Sequence, residues 1–299
     1  MNALVHQTGS ILQHPCFSAK AAGRYGRIHI PVAPACNIQC AYCNRAYDCI
    51  NESRPGVASR VLHPEEALDY LDEALSRMPF ITVAGIAGPG DAFADPERTL
   101  TTLERIRKAH PALHLCLSTN GLAVAEHVDA LVHLRVGFVT VTVNAVDPKI
   151  GGRIYTKVSL GKQVLQGSEA ASLLVERQMD AIARLKARGI TVKVNTVVIP
   201  GINDTHTAAV AERVARLKAD LHNLIALIPV SGTPLENIAP PSVSSLASLR
   251  RAAEAFLPQM RHCGRCRADA VGLLHDDRSC PPSTQLLHRR RAFGATLNG

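Results

Sequence analysis

Residues 27–49, RIHIPVAPACNIQCAYCNRAYDC, join a strand-like run to four of the nine cysteines of a 299-residue chain. In RIHIPVA (27–33) Arg27, His29, Pro31 and Ala33 fall on one face of an extended backbone, and Ile28, Ile30 and Val32 on the other. The same kind of run recurs as FITVAG (80–85), LHLCLS (113–118), FVTVTVN (138–144), ITVKVNTVVI (190–199) and NLIALIPV (223–230). Between these lie amphipathic stretches with helix signals. They read HPEEALDYLDEAL, DPERTLTTLERIRKAH, a segment near 123–134, EAASLLVERQMDAIARLKARG, THTAAVAERVARLKAD and VSSLASLRRAAEAFL. In the first of them Pro64 suits the opening helical position, and the acids that follow suit the positive end of the dipole.

Strand and helix alternating in this way predict an α/β fold with a parallel sheet and right-handed crossovers, as an open doubly wound sheet or as a complete or partial barrel. The glycine-rich and polar stretches follow the strands: the cysteine loop, AGPGDAF, STNG, NAVDP, PGIND and SGTP. They fall at the carboxyl ends of the strands, where barrels and open α/β sheets build their sites.

Composition narrows the function classes. A chain 46% hydrophobic, with no low-complexity tract, can bury a large core. It has no apolar run of membrane-spanning length and no secretory leader at its start, so it reads as cytoplasmic. There, an odd number of cysteines in short spacings favours thiolate ligation over disulfides. The net charge of +8 gathers in RHCGRCR and in HRRRAF near the end. With 4% aromatics and no Trp, stacking platforms for nucleic acid are scarce.

Cys36, Cys40 and Cys43 form CxxxCxxC. Three thiolates at this spacing can each hold one iron of a cubane, leaving the fourth iron open to a ligand that is not protein. Zinc is the rival occupant, although structural zinc favours four ligands in paired CxxC knuckles. Cys263 and Cys266 form a CxxC that suits a cluster, half a zinc site or a redox pair. Cys116 also fits a small core residue and His29 a hydrogen-bonded one, His14 a cap on the N-terminal arm, and Cys280 a free surface thiol.

CxxxCxxC directly after the first strand, with Tyr42 before its last cysteine, resembles the radical S-adenosylmethionine (SAM) superfamily. HPCFS (14–18), the stretch 27–57, GIAGPGD (85–91), LSTNGL (117–122), VNAVDP (143–148), VNTVVIPGIND (194–204) and CGRCRADAVGLL (263–274) resemble, within it, the NifB family of nitrogenase cofactor maturases. The resemblance implies a partial (βα)6 TIM-like barrel of the radical SAM type with N- and C-terminal cluster-binding extensions. These would divide into an arm (1–26), the barrel (27–261), and a C-terminal cluster-binding segment with a basic tail (262–299).

It further implies three [4Fe-4S] clusters and SAM. Cys36, Cys40 and Cys43 would hold the SAM-binding cluster, and two further clusters would be substrates. Cys16, Cys49, Cys116, Cys263 and Cys266 plus one histidine supply six ligands for these, grouped as Cys16, His29 and Cys116, and as Cys49, Cys263 and Cys266. His29 is the histidine chosen, since period-two spacing can turn it inward. Gly88, Gly90 and Asp91 would receive the SAM ammonium, Asn120 and Asn144 its carboxylate or ribose, and Tyr42 and the stretch from Ile199 its adenine. Glu52 or Arg54 would assist proton removal or steady the anionic cluster.

The implied reaction fuses two cubanes around a SAM-derived carbide, with one extra sulfur, into the [8Fe-9S-C] precursor of the iron-molybdenum cofactor, a lyase- and transferase-type step of nitrogen fixation. The implied partners are an iron-sulfur cluster donor, an electron donor, and a separate carrier or scaffold, because the chain ends in a basic tail where some family members carry a carrier domain. No nucleic acid or membrane is implied. The alternatives are another radical SAM enzyme with auxiliary clusters and a non-catalytic iron-sulfur carrier. The stretch 155–174 is expected to form a flexible loop before the fourth helix.

Overall fold

The structure is a computed structural model describing residues 11–49, 51, 58 and 60–278. Glu52, Arg54 and Cys280 lie outside the described residues. Six parallel strands form its centre, in the order β1 (Gly26–His29), β3 (Ile81–Ile86), β4 (His114–Thr119), β5 (Val136–Thr142), β8 (Thr191–Val198) and β9 (Leu221–Ala226). Each corresponds to one of the six runs read from the sequence. The sheet curls into a partial (βα)6 barrel, with helices packed on its outer face.

Six of the helices form where the pattern expects them, and the single turn Pro148–Gly151 begins in the NAVDP stretch expected to be a loop. They are α1 (Glu66–Arg77), α2 (Pro96–Ala109), α3 (Val128–His133), the single turn α4 (Pro148–Gly151), α5 (Gly167–Ala187), α6 (Thr207–Arg216) and α7 (Val243–Glu254). α2 carries Asp95 as N-cap, accepting from the Arg98 N–H at 3.3 Å, and Pro96 at its first position. Its buried residues Thr99, Thr102, Leu103 and Ile106 recur at helical spacing. Ahead of α1, Glu66 accepts from the His63 N–H at 2.7 Å, so the chain turns into the helix at Pro64.

Period two sorts the strand side chains. In β8, Val192 and Val194 face the helix-covered core, whereas Lys193 and Asn195 face the barrel interior. Arg27 and His29 of β1, Cys116 of β4, Thr140 of β5 and Asn223 of β9 also line that interior. Among the described residues no helix is long and apolar enough to cross a membrane.

Two regions depart from the expected pattern. Residues 155–165 form no loop but a hairpin, β6 (Tyr155–Leu160) and β7 (Gln163–Leu165), with Gly161 at φ +58° in its turn. It pairs with β2 (Ile38–Cys40) of the cysteine loop, matching Ile38 with Val158 and Cys40 with Tyr155. Burial of Tyr155 and Val158 fixes it there. At the other end of the chain, β10 (Val271–Leu273) pairs antiparallel with β1, and β11 (Asp276–Asp277) with β10. The CxxC segment therefore returns to the edge of the barrel beside the first strand.

Candidate active site

Two cavities lie along the barrel. The first, about 350 Å³, is lined by Cys36, Cys40 and Cys43 with Tyr42, Arg45, Cys49, Asn51, Asp91 and Asn120. Pairing with the 155–160 strand holds its cysteine loop, as do a turn from the Cys43 N–H to the Cys40 carbonyl (3.0 Å) and the Gln39 amide donating to the Cys43 carbonyl (2.7 Å). Burial raises all three thiol pKa values, that of Cys36 to about 12, while the Arg45 guanidinium partly opposes the shift at Cys36 and Cys43. As free thiols they are protonated at neutral pH, and a metal would have to displace the protons.

The GPGD loop touches the cysteine loop backbone to backbone. The Gly90 N–H donates to the Ala33 carbonyl at 2.6 Å, and a Cβ on Gly90 would fall 1.9 Å from the Ala35 oxygen, so a side chain there would push the loops apart. Asp91 faces the cavity, but its carboxylate accepts from the Phe93 N–H (2.9 Å), the Asn120 N–H (2.5 Å) and the Thr119 hydroxyl (3.1 Å). Asp91 thereby fixes the STNG loop. Burial raises its pKa, against those hydrogen bonds. Asn120 donates to Asn37 Oδ1 at 2.6 Å and stands 4.0 Å from Cys36 Sγ.

Tyr42 is locked from two sides, its hydroxyl donating to Asn51 Oδ1 and accepting from Asn144 Nδ2 at 2.6 Å. Asn144 also accepts from the Val197 N–H at 2.8 Å, so it orients Tyr42 from behind the cavity wall. Ile199 belongs to the apolar cluster on which Cys36, Cys40 and Cys43 pack.

The second cavity, about 630 Å³, lies inside the barrel and brings together Cys16, His29, Cys116, Cys263 and Cys266. Cys49 does not join them; it lines the first cavity, its N–H donating to the Pro89 carbonyl at 2.9 Å. The same interior holds Arg27, Lys193 and Arg265, and among its described lining residues there is neither Asp nor Glu. Arg27 is 1% exposed and donates to Cys266 Sγ at 3.2 Å and to the carbonyls of Gly272 (2.6 Å) and Leu273 (2.9 Å). Lys193 is 7% exposed, over the Phe17 ring. Burial raises the Cys16 pKa to about 11, with Lys193 opposing the shift.

His29 is held in one tautomer. Its Nδ1 lies 2.9 Å from the Arg267 carbonyl, which only accepts, so the ring proton sits on Nδ1 and Nε2 keeps its lone pair. Burial lowers its pKa to about 4, so it is neutral at pH 7.

Asparagines connect the two cavities. Asn51 places its amide 3.8 Å from Cys40 Sγ, and its backbone carbonyl accepts from Asn195 at 3.0 Å; Asn195 in turn accepts from Asn223 at 3.1 Å.

Residues 30–214 match the family model of the radical SAM superfamily. The chain belongs to the radical SAM superfamily. The fold agrees: Streptococcus suis SuiB bound to S-adenosylmethionine is similar at TM-score 0.52 and 16% identity, over 78% of this chain and 47% of that one. Methylornithine synthase PylB matches at 0.52 and 15%, over 78% and 71%. Among curated proteins, the chain is 49% identical to the FeMo cofactor biosynthesis protein NifB of Chlorobaculum tepidum, over 89% of this chain and 63% of that protein. It is 44% identical to that of Klebsiella pneumoniae, over 95% and 64%. The chain thus spans less than two thirds of the length of these curated relatives.

The radical SAM match covers the whole first cavity, whereas Cys16, Cys263 and Cys266 of the second lie outside 30–214. Arg27, Lys193, Asn195 and Asn223 were read from the sequence only as parts of strands. For Arg27, Lys193 and Asn195 the signal was a polar residue at every second position of a buried run, which carries meaning once the barrel curls and one face becomes interior. Arg45 and Asn51 gave no signal beyond their nearness to CxxxCxxC.

Proposed function

We propose that this protein fuses two [4Fe-4S] substrate clusters, with a SAM-derived carbide and an added sulfur, into the [8Fe-9S-C] precursor of the nitrogenase iron-molybdenum cofactor. The observation that carries this reading is the barrel cavity, where four thiols and a lone-pair-bearing imidazole line one chamber with cations and, among its described lining residues, no carboxylate. Such a lining suits a thiolate-ligated, anionic iron-sulfur occupant. Similarity to proteins named for FeMo cofactor biosynthesis supports the same reading.

The donor set of the first cavity fits a resident [4Fe-4S] cluster: three soft thiols, Cys40 buried and Cys36 and Cys43 half-buried, share one chamber with Tyr42 and Asn120. When bound, that cluster supplies the electron that cleaves SAM to methionine and a 5'-deoxyadenosyl radical. Cys36, Cys40 and Cys43 would hold it. Arg45 offers a buried Nη1 that has no partner among the described residues, a donor suited to the SAM carboxylate. Asn120 adds a second donor, the GPGD backbone lets the cosubstrate approach closely, and Tyr42 and Ile199 flank its adenine.

The substrate clusters are held by Cys16, His29 and Cys116, and by Cys263 and Cys266 with Cys49 from the cysteine-loop side. A nitrogen ligand such as His29 is more easily displaced than a thiolate, which suits a cluster that must leave. One SAM gives its methyl group to a sulfide of a substrate cluster, leaving S-adenosylhomocysteine. The radical from a second SAM takes hydrogen from that methyl group and leaves as 5'-deoxyadenosine. Further proton loss, with Glu52 or Arg54 assisting it or steadying the anionic cluster, and entry of the extra sulfur complete the fusion. A cluster donor, an electron donor and a carrier or scaffold serve the reaction.

The test is anaerobic reconstitution followed by dithionite and SAM. About twelve irons per chain before turnover, both nucleoside products, and an extracted cluster that activates cofactor-deficient nitrogenase are expected. Deoxyadenosine alone would point to a different radical SAM reaction, and neither product to a cluster carrier. Glu52→Ala is expected to accumulate S-adenosylhomocysteine without precursor; normal precursor from that variant would refute the role of Glu52.

A further inference from the structure

Two histidines line the barrel cavity with opposite tautomers. At His29 a carbonyl faces Nδ1, which makes Nδ1 the donor and leaves Nε2 with a lone pair. At His14 the Cys16 backbone N–H donates to Nδ1 at 3.1 Å. A backbone N–H can only donate, so Nδ1 of His14 is unprotonated and the one ring proton of the neutral imidazole sits on Nε2. The ring is fixed in place, with its centroid 4.7 Å from that of Phe17 and 4.4 Å from that of Phe138. His14 is 1% exposed, and its Nε2 is buried with no hydrogen-bond partner among the described residues.

A buried N–H without an acceptor is costly, and native proteins keep such groups where a ligand completes them. The cavity lining gives the class of acceptor, because an occupant held by Cys16 beside Lys193 brings anionic sulfur. We propose that His14 donates its Nε2–H to a sulfur of the [4Fe-4S] cluster held by Cys16 and His29, and is not an iron ligand. This rests on the cluster reading of the cavity. The bond from Cys16 to Nδ1 ties the donor to the peptide of the ligating cysteine, so one turn of the arm sets both the iron contact and the sulfur contact. Hydrogen bonds to cluster sulfur favour the reduced, more negative state and raise its potential.

The test uses the full chain with Cys36, Cys40 and Cys43 changed to Ala, reconstituted with iron and sulfide, so that the spectra report the barrel clusters alone. His14→Phe keeps the ring contacts and removes the donor, and His14→Gln offers an amide N–H in its place. The expected results are unchanged iron content in both variants, a midpoint potential shifted to more negative values in His14→Phe, and recovery toward the parent in His14→Gln. An electron–nuclear double resonance spectrum of the reduced parent should contain an exchangeable proton coupling that disappears in D2O, a readout that needs no His14 variant. An unchanged potential in His14→Phe, or absence of that coupling, would overturn the proposal while leaving the cluster reading intact. Loss of iron in His14→Phe to the extent seen in His29→Ala would overturn it by making His14 a ligand. A parent chain that takes up no cluster would overturn the cluster reading and this inference together.

Discussion

The two cavities solve opposite problems. Around the cysteine loop most side chains satisfy one another: Tyr42 lies between Asn51 and Asn144, and the Asp91 carboxylate takes three donors from the chain, while Arg45 Nη1 is buried without a partner among the described residues. That cavity is set before anything binds, as a site for a resident cofactor and a small cosubstrate requires. The barrel cavity instead leaves two donors, His14 Nε2 and Arg27 Nε, buried without partners among the described residues, near the Lys193 side chain. Burying such donors costs stability, and the proposed anionic occupant would offset that cost. The span that matches the radical SAM model covers the first cavity, and segments outside it complete the second.

The contrast is easiest to break at the cysteines. Cys40→Ala is expected to reduce 5'-deoxyadenosine to background while iron bound in the barrel persists. The pair Cys263→Ser and Cys266→Ser should do the reverse, losing about four irons per chain yet still cleaving SAM slowly. If either change emptied both cavities, the two sites would not be separate.

Lys193→Met probes the price of a cationic interior. Cluster release to a chelator should accelerate by about tenfold, roughly 1.4 kcal/mol. An unchanged release rate would contradict this electrostatic reading.

His222 serves as the control. It is a buried histidine whose two ring nitrogens both have protein partners, Thr196 at 3.0 Å and Gln259 at 3.3 Å, outside both cavities. Burial lowers its pKa from 6.5 to about 3. Between those values the unfolded chain binds a proton that the folded chain does not, so stability falls as pH drops through the window, by up to about 1.4 kcal/mol per pH unit. Denaturant unfolding of His222→Asn should show a pH slope smaller by this contribution, that of His29 remaining, with both cavities loading as in the parent.

The sheet was legible because its strands are apolar runs, most of them rich in β-branched residues, each ended by Gly, Asn or Pro. The 155–165 hairpin was not, since Thr156, Lys157 and Ser159 dilute its apolar face, and its packing depends on a partner strand formed more than a hundred residues earlier. β10 and β11 are too short, and too broken by Gly272, to give a pattern. At the site, CxxxCxxC announced itself by spacing, and the inward turn expected of His29 agrees with its place on the cavity wall. Lys193 and Arg27 did not, because a charged residue within a strand reads as solvent-facing until the sheet curls. Asp91 looked like a free acceptor for a cation; only the folded chain brings Thr119 and Asn120 onto it.

The most direct test of the central claim, that the first cavity generates a radical which acts on a cargo in the second, is turnover with SAM deuterated in its methyl group. Deuterium should appear in 5'-deoxyadenosine from the cluster-loaded chain and vanish when Cys16, Cys116, Cys263 and Cys266 are replaced. 5'-Deoxyadenosine free of deuterium from the fully loaded chain would contradict it.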